Sequence, residues 1–173
     1  LTLLGFKLAF SESQLEWASF LRDLLKRGLD DSAVELIVHD GAGGIIAALA
    51  ELFPHTKTQL CAVHKVRAAA ARLRRRNAFM AQANTIYEAE SLPDARDRLD
   101  ALSDSWYPDE PSAVNPLRRS FGKTLVYMQF EKRLWKTLRT TNPVERCQQE
   151  VRRRTNPMRS FADDRSCRRT VYA

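Results

Sequence analysis

A chain of 173 residues with 44% apolar and 28% charged side chains suits one ordinary domain with a real core, but not comfortably two. Six Gly and seven Pro exclude a collagen-like, low-complexity or disordered chain, and no apolar stretch is long enough to span a bilayer or reads as a signal peptide. The 28 Lys+Arg against 21 Asp+Glu give a net charge of +7, and the three cysteines (Cys61, Cys147 and Cys167) are odd in number and far apart, which predicts a reducing cytoplasm rather than a disulfide framework.

The chain opens on Leu1 rather than Met and reads as a piece of a longer protein. Leu1 to Phe10 is apolar and weakly alternating, which predicts a strand. Ser13 with Glu16 forms a capping box, and Trp17, Phe20, Leu21, Leu24 and Leu25 recur at helical spacing until Gly28. Val34 to Val38 is a continuous apolar run that predicts a strand buried on both faces. It leads through His39, Asp40 and Gly41 into a helix carrying Ile45, Ile46, Leu49, Leu52 and Phe53, which Pro54 closes. Thr58 to Val63 predicts another strand. This alternation argues for an α/β layer with parallel strands.

Beyond residue 64 the pattern turns helical. Val66 to Met80 predicts one Ala/Arg-rich helix. Ser91 and Asp94 cap another that runs to Trp106 and places Leu92, Ala95, Leu99, Leu102 and Trp106 on one face. Pro108, Pro111 and Pro116 predict a loop. Phe121, Leu125 and Met128 suggest a further helix, Leu134 and Leu138 a short one, and the last clear helix runs from Asn142-Pro143 to about Thr155. Trp17, Trp106 and Trp135 sit at core spacing rather than as stacking platforms.

Charge is distributed unevenly. Residues 1–60 carry five basic and eight acidic side chains, residues 61–116 eight of each, and residues 117–173 fifteen basic against five acidic. Arg152, Arg153 and Arg154 are adjacent, with Arg165, Arg168 and Arg169 close behind. Such a concentration suits a polyanion, since each neutralised phosphate releases counterions; it reads equally as a solvated helix face.

Two carboxylates could carry chemistry. Asp40, at the C-terminal end of a predicted parallel strand and followed by Gly41, Gly43 and Gly44, reads as a Mg²⁺ ligand or as a helix cap. Glu145 stands at N3 behind Asn142 and Pro143, where a capping box and the helix dipole account for it without further chemistry. Cys61 and His64 have a workable zinc spacing, but no second pair stands out to close a four-ligand site. Packing and hydrogen bonding are the favoured role for this motif, and zinc is disfavoured.

These pieces, in this order, resemble the transposases of bacterial Mutator-type insertion sequences. Leu4-Gly5-Phe6, Ser11-Glu12-Ser13 with Trp17, and Leu24 to Leu29 resemble the stretch before the family's second catalytic Asp. Val34 to Gly41 is similar to the strand presenting that Asp, which falls on Asp40. Gln59 to Arg67 resembles the family's Cys/His motif. Phe130 to Arg146, with Arg152-Arg153-Arg154-Thr155 beyond it, resembles the segment bearing the catalytic Glu, which falls on Glu145. His39 stands where Ser is usual, Ala68 where Asn commonly follows, and Cys147-Gln148-Gln149 replaces a more typical run.

The resemblance implies an α/β fold: a partial ribonuclease-H-like core interrupted by an all-α insertion. Residues 1–64 would form the N-terminal part of the core, 65–130 the helical insertion, and 131–173 the C-terminal part with the Glu helix and a basic tail. It implies metal-dependent cleavage at element ends and transfer of the freed 3′-OH into target DNA. Asp40 and Glu145 would hold Mg²⁺ (or Mn²⁺), and Arg146, Arg152, Arg153 and Arg154 would contact DNA phosphates. The first Asp is expected on a strand preceding Leu1, so the chain as written is expected to be inactive. The alternatives are a non-catalytic DNA-binding or regulatory remnant of such an element and a nuclease of the same fold. Element ends and target DNA are the implied partners, with a homo-oligomer on DNA, no membrane, and the bacterial cytoplasm at the nucleoid as the location.

Overall fold

In the structure, a computed structural model that describes residues 2–139, 141–158, 161 and 163–172, two compact units divide the chain. The first comprises Leu1–Asp31, Ala42–Pro54 and Asn142–Ala173, the second Ser32–Gly41 and His55–Thr141. Leu1 and Ala173, which begin and end expected segments, lie outside the described residues.

The first unit corrects the expectation of an opening strand. Residues 2–9 have no regular secondary structure, because a strand needs a neighbour to complete its ladder and none lies beside this run among the described residues. Side chains hold it instead. The Arg27 guanidinium donates to the Leu4 carbonyl at 2.9 Å, and the Lys7 ammonium pairs with the Glu16 carboxylate at 2.7 Å.

Helix α1 (Gln14–Lys26) starts where its cap predicts: the Ser13 hydroxyl accepts from the Glu16 N–H at 3.3 Å. Only that half of the capping box forms, since the Glu16 carboxylate is taken by Lys7. The helix buries Ala18, Leu21 and Leu24. It ends in a Schellman turn, with Gly28 at φ +100° and the Leu29 N–H returning to the Leu24 carbonyl at 3.0 Å.

Helix α2 (Gly43–Leu52) packs on α1, burying Ile45, Ala48 and Leu49. Ile46, the next residue after Ile45, is 46% exposed. The close approach depends on Gly44, where an added Cβ would lie 2.0 Å from the Glu12 carbonyl oxygen. Arg22 and Gln14 of α1 both reach the Glu51 carboxylate on α2.

The second unit holds the sheet. Strands β1 (Leu36–His39) and β2 (Lys57–Leu60) pair in parallel, Leu36 opposite Lys57 and His39 opposite Leu60. The chain is therefore α/β with parallel strands, as expected, but mostly helical and with a sheet of two short strands among the described residues. Both strands are displaced from their expected bounds: Val34 and Glu35 precede β1, and Cys61 to Val63 follow β2. Cys61 leaves the ladder after one last bond, its N–H donating to the His39 carbonyl at 2.7 Å, and becomes the N-cap of the next helix.

That helix, α3 (Ala62–Ala69), and α4 (Arg76–Ile86) replace the single helix expected over Val66 to Met80. The cause lies in the phase of the core residues. Ala62, Val66 and Ala70 share one buried stripe, and Phe79, Ala83 and Ile86 another. Ala70 and Phe79 are nine residues apart, about two and a half turns, so an unbroken helix would turn Phe79 away from the core that buries Ala70. The break at residues 70–75 puts both stripes into one core.

Helix α5 (Leu92–Trp106) starts at Ser91, whose hydroxyl accepts from the Asp94 N–H at 3.2 Å. Ala95, Leu99, Leu102 and Trp106 are buried as expected, but Leu92 is 50% exposed. The expected proline loop is mostly helix α6 (Pro111–Thr124). Pro111 takes the N1 position, where its missing N–H is no loss, and Pro116 is accommodated inside the helix. Phe121 belongs to α6, while Met128 sits in a 3₁₀ turn, Val126–Gln129, rather than in a further helix. The short helix expected around Leu134 and Leu138 forms as α7 (Trp135–Leu138). Two helices of the first unit close the chain, α8 (Asn142–Thr155) as expected and α9 (Asp164–Tyr172), which falls in the expected basic tail.

Candidate functional site

Asp40 is the first residue past β1, with an exposed side chain. Gly41 follows at φ +98°, a backbone conformation that favours glycine. A Cβ there would meet Leu60 Cδ2 at 3.0 Å and Lys65 Nζ at 3.6 Å, so the turn brings the backbone and the Lys65 ammonium close together beside Asp40. His39, one residue earlier, is buried. Burial holds its imidazole below the ordinary value, opposed by the Asp40 carboxylate and aided by Lys65. The result is a neutral buried ring beside an exposed carboxylate, at the end of a parallel strand pair where α/β proteins gather ligands. An exposed carboxylate oxygen is a hard donor that suits Mg²⁺, and in this respect Asp40 fits the implied metal.

Glu145 lies in the first turn of α8 and is half-buried. The side chains of Asn142 and Pro143, expected at N-cap and N1, lie outside the described residues. Arg146 and Arg152 are exposed. Arg153 and Arg154 both bind Glu150, at 2.7 and 3.0 Å. These two guanidinium groups hold the Glu150 carboxyl down at about 2, far below the ordinary carboxylate range. The arginine run therefore carries its own acidic neighbour, with Arg153 and Arg154 engaged and Arg152 without an ion-pair partner among the described residues. The spacing of Glu150 three and four residues before the two arginines was the available signal for this pairing. The side chain of Arg168 lies outside the described residues.

Cys61 is fully buried and His64 half-buried. The Thr141 hydroxyl lies 3.3 Å from Cys61 Sγ and 3.5 Å from His64 Nδ1. Thr141 is the residue immediately before α8, so the Cys/His motif holds the chain at the point where it enters the Glu145 helix. Sequence reasoning did not single out Thr141, nor Gln59. The Gln59 side chain is fully buried in β2; it donates to the Leu138 carbonyl at 2.7 Å and accepts from the Tyr127 N–H at 2.6 Å. No local pattern marks contacts with partners 68 and 79 residues away.

A family model described as Transposase, Mutator family, matches residues 2–173. The chain is 32% identical over 173 residues to the transposase for insertion sequence element ISRM5 of Rhizobium meliloti, covering 99% of this chain and 43% of that protein. It is 33% identical to the transposase for IS406 of Burkholderia multivorans, over 99% of this chain and 44% of the relative. With the transposase for IS1081 of Mycobacterium tuberculosis it shares 32% identity, over 99% of this chain and 41% of the relative. The chain thus spans less than half the length of these curated relatives. Among the described residues, no helix is long and apolar enough to cross a membrane.

Proposed function

The chain belongs to the Mutator family of transposases, and from that premise we propose that it forms part of a catalytic core with Asp40 and Glu145 as two of three metal-holding carboxylates. The reaction is cleavage of phosphodiester bonds at the ends of an insertion sequence, followed by transfer of the 3′-OH to target DNA. A ribonuclease-H-like core interrupted by the helices of residues 65–130 is the fold in which we read these residues. The observation that carries the reading is Asp40, an exposed carboxylate at the C-terminal end of a parallel strand and followed by a left-handed Gly41.

In this reading Asp40 and Glu145 hold a divalent ion, Mg²⁺ or Mn²⁺, which when bound activates the attacking oxygen and stabilises the leaving one. The family's third carboxylate has no counterpart that we assign within residues 1–173. Arg146 and Arg152 hold the DNA backbone; Arg153 and Arg154 do so through a shared equilibrium with Glu150. Buried His39, its imidazole held below the ordinary value by desolvation, adds no positive charge of its own to that of the Lys65 ammonium beside Asp40. The partners are element ends and target DNA, engaged by a homo-oligomer in the bacterial cytoplasm.

The test uses a transposase that carries residues 1–173 as its core, with Asp40→Asn and Glu145→Gln. Both should abolish strand-transfer product with Mg²⁺, by at least about a hundredfold in rate, while retention of end DNA in a gel-shift assay is unchanged. Loss of DNA retention in Glu145→Gln would show that Glu145 is a structural cap instead. The 173-residue chain alone, with two of the three carboxylates, should bind DNA without joining ends.

A further inference from the structure

The even charge count of residues 61–116 conceals two opposite blocks. Residues 52–87 contain seven Lys and Arg and no Asp or Glu, whereas residues 88–110 contain eight Asp and Glu and two Arg. The basic block culminates at the connection between α3 and α4, where Arg72, Arg74, Arg75 and Arg76 are all exposed.

The acidic block does not neutralise this turn. Asp94 pairs with Arg98 at 2.8 Å and Glu90 with Lys132 at 3.4 Å. Among the described residues, none of the four turn arginines has an ion-pair partner. Among the described residues, no ion pair accounts for the placement of Arg72, Arg74 and Arg76: like charges crowd the turn, and Arg75 and Arg76 occupy the N-cap and first position of α4 without a side-chain cap, where the helix dipole disfavours cations.

The turn is nevertheless firmly mounted. Arg75 Cζ lies 5.2 Å from the centroid of the Trp106 ring. That ring is fixed in turn by an edge-on contact with Phe79 at 5.2 Å and by its Nε1–H donating to Gln82 Oε1 at 2.8 Å. Unpaired guanidinium groups on a rigid turn are suited to phosphate, whose oxygens their forked donors match.

We propose that the α3–α4 turn is a second DNA-contacting surface, in which Arg72, Arg74 and Arg76 hold phosphates of duplex DNA independently of Asp40 and Glu145. The choice of duplex DNA among polyanions rests on the function proposed above. Contacts of this kind position the duplex without reading its sequence.

The 173-residue chain is titrated with a duplex of arbitrary sequence at a series of salt concentrations, beside the triple variants Arg72→Gln/Arg74→Gln/Arg76→Gln and Arg72→Lys/Arg74→Lys/Arg76→Lys. Thermal melts check that each variant folds. The Gln triple should bind more weakly at low salt and converge with the parent as salt rises. Its slope of log K against log salt should be shallower by roughly 2 to 3, since each lost phosphate contact removes about 0.9. The Lys triple should keep the parent slope. A folded Gln triple with the parent slope overturns the inference and leaves the proposed function standing, as does a Lys triple that falls as far as the Gln triple. Tighter binding of an RNA duplex of equal length overturns the choice of DNA. A parent chain with no salt-dependent binding to duplex DNA overturns the proposed function as well.

Discussion

Gln59 and Thr141 are uncharged, yet each ties together parts of the second unit that are far apart in sequence. The Gln59 amide serves two backbone groups at once, the Tyr127 N–H and the Leu138 carbonyl. Replacing it with Leu conserves size but leaves the buried Tyr127 N–H without its acceptor. A buried donor left unsatisfied costs about 1–3 kcal/mol. Gln59→Leu should therefore lower the unfolding free energy by that amount, read as a lower urea midpoint with no change in m-value; an unchanged midpoint would mean that water replaces the amide. Neither role was legible in the sequence, because a polar side chain in a short strand looks the same whether it faces solvent or a distant carbonyl. The position of Asp40 at a strand end was legible because an apolar run followed by glycines is a local property. The pairing of Glu150 with Arg153 and Arg154 was legible in principle, at a spacing that a sum of charges conceals.

Among the elements, helix caps and stops match the sequence reading, while the proline loop, the opening strand and the single helix over Val66 to Met80 do not. The Ser13 and Ser91 caps and the Gly28 stop all follow from contacts within a turn or two. The break between α3 and α4 follows from where the core lies, and helix propensity in an Ala/Arg-rich run argues against it. Residues 2–9 are apolar enough for a strand, but strand formation also depends on a neighbour that composition cannot reveal. The packing of α1 against α2 allows a sharp comparison at two adjacent glycines. Gly44→Ala would drive a Cβ into the Glu12 carbonyl and should destabilise the first unit by about 1–3 kcal/mol through overpacking. Gly43→Ala meets no atom within 4 Å and should be neutral or stabilise by up to about 1 kcal/mol. Denaturant melts of the two variants should shift in opposite directions, or at least differ by more than about 1 kcal/mol. Equal shifts would mean that α1 and α2 can separate without penalty.

For the whole molecule, net charge proved the least informative number and its arrangement the most informative. The +7 comprises an acidic start, a middle whose zero is two cancelling blocks, and a basic end in which part of the arginine run is already engaged by Glu150. The α/β class and the parallel pairing were legible because alternating apolar runs and amphipathic stretches survive averaging. The division into two units was not, because each unit is assembled from separated segments of chain, and no change in composition marks a crossing.

The burial of Cys61 also gives the molecule an internal clock. Its thiol is 0% exposed in the second unit, whereas Cys147 of the first unit is exposed. In a Cys167→Ser chain, which lacks the third, half-buried thiol, a thiol reagent should modify Cys147 at once and Cys61 only when the second unit opens, so the slow phase measures that opening directly. Mild denaturant should speed the slow phase and leave the fast one unchanged. If both thiols react at the same rate, the second unit opens as readily as an exposed helix surface meets solvent.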